Sequence, residues 1–360
     1  MKLISFIFRI SLIIINLIAL ILWLMATSAM YISPSHYSLP AILGIGYNYI
    51  LLANFVLAII WLFTKHKLYT IIFFIGLFLT LPATRNSFSL ASAEHSEQNN
   101  KSIKIMTYNT LCLGKELDKD QYKILNFIKS QDADIVCLQE IKTSQNKGQY
   151  YLTLEQVKET LGYEYSYVDY KLYNGEHKYG MAVFSRFPLI NKQTIRYESH
   201  FNQSDRCDVI IDTDTFRLIN NHLESNQFTK RELTIPHIQS EEIKESANHI
   251  TRKLTSAYQV RALQAQKISQ EIKQSPYHVI VCGDFNDVPV SYTYRTIKGK
   301  LRDSMLEACP RHLCPTLSVH NIGIRIDYIL HSNTMVATNH QVIDAPYSDH
   351  KPVMVTLEWK

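Results

Sequence analysis

The chain has 360 residues, with 37 Lys plus Arg against 32 Asp plus Glu, room enough for two average domains. The first hundred residues hold five of those bases and two of those acids, which leaves 32 against 30 beyond them. That near-neutral remainder excludes the broad basic footprint of a tight, nonspecific nucleic-acid binder, although a local patch can sit within a balanced total.

From Ile10 to Thr64 there is no Lys, Arg, Asp or Glu, and the apolar run is broken only around Pro34, Ser35, His36 and Pro40. Segments 10–32 and 41–63 each match the ~20 residues that a helix needs to cross hydrocarbon. A third segment, 68–84, is shorter, but its Ile71-Ile72-Phe73-Phe74-Ile75 centre is apolar all round, and it is expected to span as well. Lys2 and Arg9 precede small residues near Ala26 and Ala29 as in a cleavable signal peptide, but the two later segments argue for an anchor. Residues 1–84 are therefore read as a membrane anchor, 85–101 as a flexible tether rich in Ser, Asn, Gln, Glu and Ala, and 102–360 as a catalytic domain. Cations in short loops stay on the cytoplasmic side, so Lys2 and Arg9 place the N-terminus inside. Lys65 and Lys67 place the second loop inside too, and three spans leave the C-terminal domain on the non-cytoplasmic side. Arg85 opposes that orientation slightly, and the whole placement turns on the third segment.

Cys112, Cys137 and Cys282 lie in apolar runs and read as buried thiols. Cys309 and Cys314 bracket Pro310-Arg311-His312-Leu313 in a loop-like stretch. They either close a disulfide ring in an oxidising compartment or remain two loop thiols. A zinc site using His312 and His320 is the weaker alternative, because no second Cys pair follows.

Beyond the tether the pattern turns to strands, expected at 104–111, 134–141, 178–184, 208–212, 216–222, 278–282, 325–331 and 352–359. Ile135-Val136-Cys137-Leu138 and Val279-Ile280-Val281-Cys282 are continuous apolar runs, as in strands covered on both faces. Steps of three and four at Tyr122, Leu125 and Ile128 mark a helix. A longer helical stripe runs from Ile243 through Ala247, Ile250, Leu254, Tyr258, Ala262, Ala265 and Ile268 to Ile272, and reads as packing against a sheet.

Several of these apolar strands end in a carboxylate, carboxamide or imidazole, and such groups at a sheet rim converge on one cleft. They are Asn109 in Met106-Thr107-Tyr108-Asn109, Glu140 in Leu138-Gln139-Glu140 and His222 in Asn220-Asn221-His222-Leu223-Glu224. Asp284 and Asn286 follow in Gly283-Asp284-Phe285-Asn286-Asp287, then Asp327 in Arg325-Ile326-Asp327-Tyr328, and Asp349 with His350 in Ser348-Asp349-His350. Phosphoester hydrolysis needs a positioned water, neutralisation of phosphate charge and a donor for the departing oxygen, and each role has a candidate here. Taken singly, Asn109 also suits a strand-end turn, and 284–287 an Asx turn.

In these six motifs, in order over about 103–357, the chain resembles the endonuclease/exonuclease/phosphatase family. That family includes pancreatic deoxyribonuclease, abasic-site endonucleases, sphingomyelinases and inositol-polyphosphate 5-phosphatases. The resemblance implies an α/β fold of the deoxyribonuclease I type, a four-layer sandwich of two mixed β-sheets flanked by helices, here preceded by transmembrane helices. It implies a metal site at Glu140, completed or supported by Asn109 and Asp349, and oxygen ligands suit Mg²⁺ or Mn²⁺. By the same resemblance Asp284 positions or deprotonates the attacking water and Asn286 holds a phosphate oxygen. His350, oriented by Asp327, stabilises the charge at phosphorus, and His222 protonates the leaving oxygen. Gly180 is expected at a close backbone approach, Arg186 in a structural role, and Arg325, two residues before Asp327, near phosphate.

Three functions are weighed. Membrane attachment and near-neutral charge favour a metal-dependent phosphoesterase acting on a lipid headgroup or small phosphoester. An envelope or extracellular nuclease is the first alternative, and a catalytically silent membrane sensor, from another class, is the second. A decayed site would be expected to have lost at least one of its buried charges. Protein partners are not legible.

Overall fold

The computed structural model describes residues 2–91, 101–114, 117–147, 150–226, 240–311, 313–319 and 322–360. The central part of the expected tether, 92–100, lies outside these, as do His312 and His320. The chain divides into two compact units, one of residues 1–88, 226–263 and 287–295, the other of 89–225, 264–286 and 296–360.

The first unit is built on α1 (Lys2–Ser28), α2 (Leu39–Ile45), α3 (Tyr47–Leu62), α4 (Leu68–Leu79) and α5 (Leu81–Ser87). Among the described residues only α1 is by itself long and apolar enough to cross a membrane; the pairs α2–α3 and α4–α5, bent by 73° and 70°, raise the number to three if each pair is one span. Pro40 and Pro82 fall in the first turns of α2 and α5, where a missing N–H costs nothing, so each starts a new helix direction. Trp23 is fully buried and stacks on Phe73 at 5.5 Å between centroids. A Cβ on Gly76 would lie 2.8 Å from the Trp23 ring, so glycine sets how closely α1 and α4 approach. Asn16 accepts from the Trp61 indole N–H at 3.2 Å, which satisfies both polar groups inside apolar surroundings. Ile14, Ile18, Ile21, Phe74 and Phe78 are exposed. Within the same unit Val290 packs among Trp23, Ala26 and Tyr47, and Leu254 and Tyr258 pack against Ala41.

In chain order the remaining elements are β1 (Ser102–Asn109), α6 (Leu117–Ser130), β2 (Ile135–Ser144), α7 (Leu154–Leu161), β3 (Tyr165–Asn174), β4 (His177–Ser185), β5 (Leu189–Arg196), β6 (Gln203–Ile211) and β7 (Asp214–His222). They continue with α8 (Ser240–Lys273), β8 (His278–Asp284), α9 (Tyr292–Lys298), β9 (Arg302–Asp303), α10 (Ser304–Ala308), β10 (Leu317–Val319), β11 (Ile322–Ile324), β12 (Asp327–His331), β13 (Met335–Val342) and β14 (Val353–Trp359). One sheet runs β13-β14-β1-β2-β4-β3 and the other β5-β6-β7-β8-β12-β9, with β10–β11 a separate hairpin. Both sheets are mixed: β1 pairs parallel to β2 and β7 parallel to β8, while the other pairs are antiparallel. This is the expected sandwich.

Alternation along the strands decides the layers. Ile105, Cys137 and Val183 of the first sheet meet Val209, Leu218, Ile280 and Ile329 of the second in the central core. The other face of the first sheet, with Met106, Val136 and Leu138, packs on Leu125 and Ile128 of α6 and Val157 and Leu161 of α7. Of the stripe expected on α8, Leu254, Tyr258, Ala262, Ala265 and Ile268 are buried. Strands β3, β5 and β13 were not expected, and all three are sheet edges. An edge strand is wet and half polar, as in Asn191-Lys192-Gln193-Thr194 of β5, so it lacks the apolar run that betrays a central strand.

Candidate active site

Register carries the strand-end groups to one rim. In the second sheet His222 pairs with Asp284 across β7–β8, and Asp284 with Asp327 across β8–β12, so three of the expected residues stand in one row. In the first sheet Asn109 closes β1 beside Gln139, and Ser348-Asp349-His350 leads into β14, the other neighbour of β1. A β-bulge between Leu138 and Ile141 turns Glu140 out of the β2 ladder, with φ +54°. That left-handed backbone at a non-glycine residue is strain of the kind that re-aims a side chain.

Asp284 is the hub. Its Oδ1 accepts from the Asn286 backbone N–H at 2.8 Å, an Asx turn, and its Oδ2 accepts from Asn286 Nδ2 at 3.2 Å and Asn109 Nδ2 at 3.1 Å. Asn109 Nδ2 also donates to Glu140 Oε1 at 3.0 Å, while its Oδ1 accepts from Leu111 N–H. Asn109 thus bridges two carboxylates and caps its own strand end together. Asn286, at φ +52°, also donates from Nδ2 to the Leu223 carbonyl at 2.9 Å. Gly283 explains why the chain can turn here: its φ is +117°, and a Cβ would lie 2.1 Å from the Asn221 carbonyl oxygen.

His350 sits between two acids, its Nδ1 3.0 Å from Asp327 Oδ2 and its Nε2 3.8 Å from Asp284 Oδ2. Burial alone would favour the neutral ring, but Asp327 and Asp284 outweigh it and raise the imidazole to about 10, so it is a cation at neutral pH. Burial pushes the Asp284 carboxyl up to about 6 against the lowering effect of His350. His222 Nε2 lies 3.5 Å from Glu140 Oε1 and 3.9 Å from Asp284 Oδ2, and neither ring nitrogen has a hydrogen bond. Burial lowers its pKa below the ordinary value, so it enters as a neutral ring with an N–H to offer, a hydrogen-bond donor more than a proton source.

Glu140 is raised by burial first and by the neighbouring Asp349 charge, against hydrogen bonds from Asn109 and Tyr179. Asp349 is exposed, and its Oδ1 accepts from Ser348 Oγ at 3.3 Å. Among the described residues no Lys or Arg pairs with Glu140, Asp284, Asp327 or Asp349. Oxygen donors gathered without a Lys or Arg partner fit a hard divalent cation, and a raised Glu140 is the group such a cation would relieve. Asp284, Asp327 and His350 also lie close enough together to share an ion, but a His350 ring protonated on both nitrogens has no lone pair to give it.

Two expected residues have other partners. Arg325 is buried and forks onto Asp303, NH1 to Oδ1 at 3.1 Å and NH2 to Oδ2 at 2.9 Å. A shared strand face with Asp327 therefore does not carry its guanidinium to phosphate, because the edge strand β9 presents a buried acid first. Arg186 pairs with Asp132 and Asp134 at the opposite end of its strand, a structural role. Tyr179, which donates to Glu140, and the pair Gln139–Asn220 were not expected at the site. Gln139 Nε2 donates to Asn220 Oδ1 at 2.6 Å, and Asn220 Nδ2 to the Leu138 and Ala182 carbonyls, so this fully buried pair ties the two sheets together directly beneath the site. Their signal was their position, next to Glu140 and two before His222.

The sequence profile of the endonuclease/exonuclease/phosphatase family matches residues 106–350, more than half the chain, and the chain belongs to that family. A second profile, a domain of unknown function, matches residues 7–87. Among solved structures, an endonuclease/exonuclease/phosphatase protein from Beutenbergia cavernae is 16% identical, with a TM-score of 0.51 and 72% of each chain covered. The human Nocturnin catalytic domain with bound sulfate is 20% identical, with a TM-score of 0.52 over 74% of this chain and 96% of that one. D. rerio TDP2 complexed with a single-strand DNA product is 16% identical, with a TM-score of 0.51 over 72% and 100%. At these identities the likeness is one of fold. No curated protein matches the chain. Family membership makes the chain a hydrolase of phosphoester bonds.

Proposed function

We propose that the protein is a membrane-anchored, divalent-metal-dependent phosphoesterase that hydrolyses a lipid-headgroup or small phosphoester by in-line attack of water. The observation that carries this is the convergence of Glu140, His222, Asp284, Asp327 and His350 within hydrogen-bonding or ion-pairing reach of one another. Glu140 and Asp349 would hold Mg²⁺ or Mn²⁺, with Asn109 fixing the Glu140 carboxylate. When bound, that ion supplies neutralisation of the phosphate charge.

The chain's own groups do the rest. Asp284, held by three hydrogen bonds and with its carboxyl raised to about 6, orients the attacking water and accepts its proton. The cationic His350, kept charged by Asp327, stabilises negative charge growing on the phosphoryl oxygens. The unpartnered N–H of His222 donates to the leaving oxygen, whereas both Nδ2 hydrogens of Asn286 are engaged by Asp284 and Leu223, so Asn286 holds Asp284 rather than a phosphate oxygen.

Attachment to a bilayer is supported by α1 and the two bent helix pairs. A non-cytoplasmic catalytic domain is supported by the Cys309–Cys314 disulfide, which persists in oxidising compartments. The test is the full-length protein in detergent with Mg²⁺, Mn²⁺ or EDTA, assayed against a phosphodiester-headgroup lipid, soluble phosphomonoesters and plasmid DNA. Metal-dependent turnover of lipid or small ester, reduced at least about 1,000-fold in Asp284→Asn, is expected. Equal turnover in that variant would remove Asp284 from the chemistry, and cleavage of DNA alone would assign the chain as a nuclease, as the TDP2 complex with DNA would favour.

A further inference from the structure

The loop that follows α10 reaches the site from behind, through one side chain. Thr316 is fully buried. Its Oγ1 accepts from the backbone N–H of Ile326 at 3.1 Å and of Asp327 at 3.1 Å. Its own N–H donates to the Ile324 carbonyl at 2.9 Å, and its carbonyl accepts from the Lys351 N–H at 2.7 Å. The next residue, Leu317, forms an antiparallel bridge with His350. Thr316 is therefore bonded at once to the backbone of Asp327 and to that of Lys351, the residue after His350, so it ties together the two segments that carry the Asp327–His350 hydrogen bond. An apolar side chain in its place would leave the two buried N–H groups without this acceptor.

The same loop is fixed upstream by a covalent clasp. Cys309 and Cys314 are joined in a disulfide, both are buried, and they pack with Met305, Leu306 and Val342. The Cys309 carbonyl accepts from Ser89 Oγ at 2.9 Å. Only Pro315 separates the clasp from Thr316, and the hairpin closes over it at Gly323, where a Cβ would lie 2.7 Å from the Pro315 ring.

We propose that Thr316 is a positioning residue for the Asp327–His350 pair, and that the Cys309–Cys314 disulfide holds the loop that presents it, so that reduction of the disulfide lowers turnover. The proposal rests on the hydrolase reading for its kinetic consequence but not for its geometry. Thr316→Val keeps the shape and removes the acceptor; Thr316→Ser keeps the acceptor; Cys309→Ser with Cys314→Ser opens the loop without touching Thr316.

Two readouts on the full-length chain in detergent decide it: kcat and KM on the ester that the assay under Proposed function identifies, and the downfield imidazole N–H resonance of ¹⁵N-histidine-labelled protein, assigned as the one expected to vanish in Asp327→Asn. In folded Thr316→Val, kcat is expected to fall roughly 10- to 100-fold with KM little changed, and the resonance to shift or broaden. Thr316→Ser restores both, and the double cysteine variant moves both in the direction of Thr316→Val. A folded Thr316→Val with kcat within about twofold of wild type and an unmoved resonance overturns the positioning role. A double cysteine variant indistinguishable from wild type overturns the part assigned to the disulfide. If the wild type turns over no ester, the hydrolase reading falls and the resonance alone decides for or against Thr316.

Discussion

Replacing Asp327 by Asn tests the charge state on which the proposed chemistry depends. Asp327 lies 3.0 Å from His350 Nδ1 and is the largest influence raising that ring, which stands at about 10. Removing a unit charge centred about 4 Å away, at an effective dielectric of about 20, withdraws about 4 kcal/mol, equivalent to about 3 pH units. His350 in Asp327→Asn then titrates near 7, since burial still opposes its charge. If the cation stabilises the transition state, the wild-type basic limb of kcat/KM lies near pH 10 and that of the variant near pH 7. At pH 8 the variant ring is charged about one time in ten, so kcat/KM is down at least about tenfold, and part of the loss returns on going to pH 6. The assay is a pH–rate profile of both proteins at saturating Mg²⁺. A variant whose basic limb coincides with that of the wild type would refute a cationic His350. The sign for stability is the same: a raised imidazole contributes fully below its unfolded value of about 6.5, and the contribution is lost as pH rises through about 10.

Other perturbations reach other parts of the fold. Asp205 is buried, accepts from Thr194 and Gln203 through Oδ1 only, and is raised by burial to about 8. The folded state therefore keeps a proton that the unfolded chain releases above about pH 4, and stability falls by about 4 kcal/mol from pH 4 to pH 7. Asp205→Asn flattens that slope, which thermal melts across pH 5 to 8 will show; an unchanged slope would place the titration elsewhere. Gly283→Ala puts a Cβ 2.1 Å from the Asn221 carbonyl oxygen at a φ of +117°, and a loss of about 3 kcal/mol or more is expected in denaturant unfolding. A loss below about 1 kcal/mol would mean that the β7–β8 rim relaxes readily. Leu90→Cys, exposed just past the helical unit, is expected to react with a membrane-impermeant thiol reagent in intact cells, and protection would place the catalytic domain in the cytoplasm.

The sandwich and most of its site were legible because each central strand is an apolar run that stops at a polar group. An apolar run signals a covered strand, and a carboxylate or imidazole at its end can only face the rim. Asn109, His222, Asp284 and Asp327 were readable on that ground; Glu140 stands inside β2 and His350 just before β14, and these two were readable only from the motifs around them. Edge strands such as β5 were not, since their exposed faces carry no pattern that distinguishes them from loops. Partners across the fold were not legible either. Arg325 binds Asp303 because β9 and β12 are neighbours, and Gln139 meets Asn220 because the two sheets stack, facts of register that no local spacing encodes. The bulge at Glu140, the passage of 226–263 and 287–295 into the helical unit, and the four backbone bonds of Thr316 are likewise decided by tertiary structure. Sequence determined which groups were available and at which strand end each would stand; packing decided which of them touch.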